Sequence, residues 1–78
     1  MTEVKIHYEI KYCVQMLTGD GKIILESIWF NSENKARSFT KKFDIDECYQ
    51  LRIEVIEVVK NEFGYEIGYN HKRYIYLK

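Results

Sequence analysis

Residues 4–17 read VKIHYEIKYCVQML, and this stretch decides the architecture. Val4, Ile6, Tyr8, Ile10, Tyr12, Val14 and Met16 occupy alternate positions, with Lys5, His7, Glu9, Lys11, Cys13 and Gln15 between them. Successive side chains of a strand point to opposite faces, so a period of two sustained this long predicts a long, half-buried β-strand. About 13 residues at about 3.3 Å each span roughly 43 Å.

Thr18-Gly19-Asp20-Gly21 follows, with two glycines able to take positive φ beside an aspartate, which predicts a tight reversal. Residues 22–30, KIILESIWF, then return as a second strand. Its Ile23–Leu25 and Ile28–Phe30 runs are apolar on both faces, which predicts a strand covered twice or placed at an interface. Asn31 and Ser32 are helix N-cap types, and Glu33 suits the positive end of a helix dipole. Ala36, Phe39, Thr40 and Phe43 recur at i, i+3, i+4 and i+7, one stripe of a helix of about 12 residues and roughly 18 Å. Lys41 and Lys42 suit its last turn, and Asp44, Ile45, Asp46 and Glu47 end it. Residues 49–60 alternate again, 61–64 (NEFG) make a second turn, and 65–77 form a fourth strand.

The order β-β-α-β-β predicts a single α+β domain over residues 1–78. It is a four-stranded, mainly antiparallel sheet of two long hairpins, with one helix packed on one face. Strand order 2-1-3-4 satisfies all the strand directions, and other orders remain open. The lengths do not match, however. A helix of roughly 18 Å covers less than half of a strand of roughly 43 Å. Part of the apolar stripe from Val4 to Met16 therefore extends beyond the helix. Exposed apolar sheet of this kind marks an interface, and a homodimer is its simplest form. The competing expectation is a strongly coiled sheet that wraps the helix.

Composition bounds the function. Twelve cations balance twelve anions, whereas a sequence-independent DNA binder carries a positive excess and a DNA mimic a negative one. Apolar residues at 46% and charges at 31% describe a globular chain and not a disordered one. There is no proline, which suits uninterrupted strands. No apolar run approaches the roughly 20 residues of a membrane span, and residues 1–12 (MTEVKIHYEIKY) lack a signal-peptide core. The expectation is a cytoplasmic protein, with Cys13 and Cys48 as free thiols rather than a disulfide.

The end of the chain carries the richest surface chemistry. Phe63-Gly64-Tyr65 matches three positions of the RNA-recognition strand motif, but Asn61, Glu62, Glu66 and Gly68 break it, and the order of elements differs. Strict alternation would place Tyr65, Ile67, Tyr69, His71, Arg73, Ile75 and Leu77 on one face, toward the helix or a partner. It would place Lys72, Tyr74, Tyr76 and Lys78 on the other, as an aromatic and basic strip. Such a strip can stack bases, and equally it can be cross-strand packing in a plain sheet. Lys35, Arg37, Lys41 and Lys42 form a second candidate, a basic helix face opposed by Glu33. Trp29 and Phe30, just before the helix, are candidate interface anchors or core residues beneath it.

Candidate chemistry is thin. Asp44, Asp46 and Glu47 would suit a hard cation such as Mg²⁺, but they lack the further ligands and internal glycine of a calcium loop. His7, Cys13, Cys48 and His71 show no zinc-ligand spacing, and His7 and Cys13 are roughly 20 Å apart along one strand. No nucleophile–base pair and no phosphate loop is present. The reading is a non-enzymatic protein without cofactor or metal that binds another protein, in the style of bacterial or phage accessory and inhibitor proteins. Its partner-binding residues would be Trp29, Phe30, Lys72, Tyr74 and Tyr76. The alternative is a nucleic-acid-binding module on the aromatic and basic sheet face, assisted by Arg37 and Lys41.

Overall fold

The computed structural model describes residues 5–42 and 49–77. The elements are β1 (His7–Thr18), β2 (Ile24–Phe30), α1 (Glu33–Lys41), β3 (Tyr49–Lys60) and β4 (Glu66–Tyr76). The strands form one antiparallel sheet in the order β2-β1-β3-β4, so β1 and β3 lie at its centre. This is the α+β arrangement that the alternation predicts, and the observed order is 2-1-3-4, one of the orders that the strand directions leave open.

Turn chemistry sets both hairpins. Gly21 takes φ 75° and donates its N–H to Thr18 O at 2.8 Å, while Asp20 Oδ1 accepts from Lys22 N at 3.0 Å. Gly64 takes φ 84°, and Asn61 Oδ1 accepts from both Phe63 N (2.9 Å) and Tyr65 N (3.0 Å). The helix begins as its residue types predict, with Ser32 Oγ accepting from Lys35 N at 3.1 Å. It is shorter than expected, nine residues instead of about 12, and therefore about 13.5 Å long. Lys42 is its C-cap and donates to Phe39 O at 3.2 Å, a tightened last turn. Phe43 and the acids Asp44, Asp46 and Glu47 lie outside the described residues, as does Cys48.

The helix-side face of the sheet holds the main core cluster. Val14, Ala36, Leu51 and Ile53 are buried together, flanked by Tyr12, Met16, Phe30, Phe39, Ile75 and Leu77. Ala36 faces the sheet at the middle of the helical stripe, where a small side chain lets the helix approach closely. This helix-side cluster occupies only the end of the sheet that the helix reaches, while Cys13, Leu17, Ile56 and Val58 are buried on the opposite face. Beyond the cluster, on the helix-side face, Tyr8 is 62% exposed and Ile10 39% exposed. The shortened helix makes the length mismatch larger than the sequence implied.

The molecule is correspondingly long and thin, 57 × 24 × 16 Å. Its radius of gyration is 15.2 Å, where a compact chain of this length would have about 11–12 Å. Its accessible surface is 5988 Å², where a compact monomer of this mass would present about 5,000 Å². The sheet does not wrap itself around the helix. It extends past it.

Three register breaks interrupt the ladders, between Met16 and Leu17, Val55 and Ile56, and Val59 and Lys60. On the partner strands Leu25, Lys72 and Ile67 are the extra residues. A bulge reverses the facing of the residues beyond it. Strict alternation along β4 is therefore overturned at Lys72 and at Ile67.

Candidate partner-binding surface

Two surfaces collect the residues that the sequence singles out. The first is the sheet face opposite the helix. Antiparallel register places Cys13, Gln15 and Leu17 of β1 there, with Trp29 and Ser27 of β2 and Arg52, Glu54, Ile56 and Val58 of β3. The bulge at Lys72 adds His71 to Tyr74 and Tyr76 of β4. Sequence alternation assigned His71 to the other face, and the extra residue in β4 is the reason it does not lie there.

A continuous polar network runs across this face. Gln15 Nε2 donates to Glu54 Oε1 at 3.1 Å, and Arg52 Nε donates to Gln15 Oε1 at 2.7 Å. His71 Nδ1 lies 2.7 Å from Glu54 Oε2, and because an ionised carboxylate only accepts, Nδ1 is the donor. The Arg52 guanidinium stacks 4.1 Å from the Tyr74 ring centre. Tyr74 in turn sits 4.4 Å from the His71 ring and 5.9 Å from the Tyr76 ring. Gln15 is buried, and no buried side-chain polar atom among the described residues lacks a partner. The network therefore holds its members in fixed positions.

Beside it, Lys11, Trp29, Ile56, Val58 and Glu66 line a concavity of about 360 Å³. Ile56 and Val58 are buried at its floor, and Lys11 Nζ reaches Glu66 Oε1 at 3.8 Å across it. Trp29 is 52% exposed at its wall. Burial raises the Cys13 thiol above its ordinary value, with a smaller opposing effect from the Gln15 hydrogen bond. That disfavours the thiolate, the opposite of what a nucleophilic cysteine requires.

The structure separates the predicted anchors. Trp29, Tyr74 and Tyr76 share the face opposite the helix. Phe30 does not. It turns to the core face, half-buried, with its ring 5.1 Å from Phe39. Lys72, as the bulge residue, leaves the aromatic strip and reaches Glu57 Oε1 at 3.6 Å. Lys78 lies outside the described residues. Sequence reasoning missed Arg52, Glu54 and His71 as partners of the tyrosines, since only cross-strand register joins them.

The second surface is the edge strand β2 and the adjoining flank of α1. Every residue of β2 except Phe30 is exposed, so the strand is not covered on two faces. Phe30, Asn34, Lys35, Ser38, Phe39 and Lys42 line a groove of about 350 Å³ between strand and helix. The basic helix face is smaller than its composition implies. Arg37 Nε donates to Glu33 Oε2 at 2.9 Å and Arg73 Nη2 to Glu33 Oε1 at 3.2 Å, which holds the Glu33 carboxyl below its ordinary value, Arg37 contributing most. Lys35, Lys41 and Lys42 remain exposed.

Comparison with protein-family models, with curated proteins and with solved structures finds no match to this chain. Among the described residues no helix is long and apolar enough to cross a membrane.

Proposed function

We propose that this chain is a small non-catalytic protein that acts in the cytoplasm by binding another protein through its sheet, as a homodimer, in the manner of bacterial or phage accessory and inhibitor proteins. One observation carries the reading. Bulky apolar side chains stand exposed on both sheet faces and along the β2 edge, because among the described residues one nine-residue helix is all that covers four strands. Trp29, Tyr74 and Tyr76 are its anchors, aromatic residues on a rigid, hydrogen-bonded surface of the kind enriched at binding hot spots.

A tagged pull-down with and without nuclease, read by mass spectrometry, tests this. A protein captured by the wild type in both conditions and lost with Trp29→Ala and Tyr76→Ala supports it. Capture unaffected by those changes refutes the assignment of the anchors.

A second reading, a single-stranded nucleic-acid platform, draws on the Arg52–Tyr74 stack beside Tyr76. The displacement of Lys72 from that face and the carboxylates of Glu54 and Glu66 upon it weigh against it. Material recovered only without nuclease, with affinity falling steeply in salt, would favour it over the first.

A further inference from the structure

We infer that the outer edge of β2 is a seam at which two copies of this chain join into one eight-stranded sheet. This rests on the reading of the sheet as a binding surface, and it names one partner and one place. The sheet has two outermost strands, and they are built differently. β4 carries His71, Lys72 and Arg73 at its middle and two register breaks along its length. Charge and bulges are the devices by which sheets prevent edge pairing, and a second β4 laid antiparallel on the first would set cations against cations. β2 has one bulge, at Leu25, and one charge, Glu26. Residues 26–30, ESIWF, are in regular register with β1.

The strand also complements itself. A two-fold axis normal to the sheet keeps faces together, so each residue meets one of its own parity. Centred on Glu26, that axis opposes two carboxylates. Centred on Ser27, it sets Glu26 against Ile28 on the helix face. Centred on Ile28, it pairs Ile28 with its own copy, Trp29 with Ser27 and Phe30 with Glu26. Phe30 borders the groove whose rim carries Lys35 and Lys42. Of these three registers only the last brings the single acid of β2 beside that groove of the other copy, where Lys35 lies near the positive end of the helix and Lys42 caps its opposite end. Each copy supplies a seven-residue strand and one helix flank, less than the 20–30 residues of a standard interface. The dimer is therefore reversible and concentration-dependent.

Two experiments on the full chain test the seam. The first is light scattering over a wide concentration range. Wild type moves from one chain mass to two, Glu26→Lys requires at least about tenfold more protein to do so, and Lys35→Glu with Lys42→Glu behaves alike. Mixing these two variants restores a dimer, since one seam half then regains its original charges and the other regains them inverted. All three residues are exposed, so folding persists. The second is oxidation in a Cys48→Ser background, where Ile28→Cys gives a disulfide-linked dimer and Lys72→Cys does not. A chain that stays monomeric at every concentration overturns the seam. So does a dimer that crosslinks through residue 72 and not 28, or one indifferent to the charge changes. The binding-protein reading stands or falls separately, on capture of a different protein by Trp29 and Tyr76.

Discussion

His71 and Tyr74 lie three residues apart on β4 yet share one face of the sheet, their rings 4.4 Å apart. In a regular strand an odd separation places side chains on opposite faces. The extra residue, Lys72, brings them together, and with them the imidazole that meets Glu54 and the ring that carries Arg52. Tyr74→Ala removes the stacking partner of Arg52, His71 and Tyr76 at once. It should cost about 1–2 kcal/mol in urea denaturation, whereas Tyr74→Phe, which keeps the ring, should stay within about 0.5 kcal/mol of wild type.

Ile53 is fully buried at the centre of the sheet, between Val14 and Ile75. Its place in β3 makes it the pivot of the helix-side core. Ile53→Val should destabilise by about 0.5–1.5 kcal/mol and Ile53→Ala by about 2–5 kcal/mol, the second enough to unfold much of a domain this small. Circular dichroism against temperature would separate the two.

Two glycines should respond in opposite directions. Gly64 closes the β3–β4 hairpin at φ 84° with nothing within 4 Å of an added Cβ, so the cost of Gly64→Ala is purely conformational, about 1–2 kcal/mol. Gly68 also has open space, but its backbone φ lies outside the left-handed region. Gly68→Thr should therefore raise stability by several tenths of a kcal/mol, as a β-branched residue replaces one that weakens a strand. Chemical denaturation of both variants checks the sign.

Acid should destabilise the fold through identifiable pairs. The Lys60 hydrogen bond and charge hold Glu9 below its ordinary carboxylate value, Arg37 does the same for Glu33, and the Thr18 hydroxyl does so for Asp20. The unfolded chain then binds protons more readily than the native one at about pH 4, so stability rises with pH there. The contribution is complete above the ordinary carboxylate values and is lost as pH falls through the lowered ones. Burial raises Cys13 and Glu9 raises Lys60, so a second loss occurs at alkaline pH, as those groups give up their protons first in the unfolded chain. Urea midpoints should be flat near neutrality and fall on both sides. Glu9→Gln should lower the plateau and shrink the acid limb.

Much of this was legible in residues 4–17 and their counterparts. Period-two alternation, glycine-bearing turns and the Ser32 cap are local signals, because side-chain facing, positive φ and unsatisfied helix N–H groups are settled within a few residues. They were enough for four strands and one helix, and they allowed the order 2-1-3-4 without selecting it. The mismatch between strand and helix lengths was equally legible, since both rises are constants of the backbone. The tertiary structure alone decided the rest. A bulge is a relation between two strands, and nothing within β4 announces that Lys72 stands opposite no residue of β3. That one relation moved His71 to the aromatic face and turned Lys72 away to Glu57, while ordinary cross-strand register set Arg52 opposite Tyr76 and Glu54 opposite Tyr74. Alternation already sends the neighbours Trp29 and Phe30 to opposite faces, and only packing decided which of them lies beneath the helix.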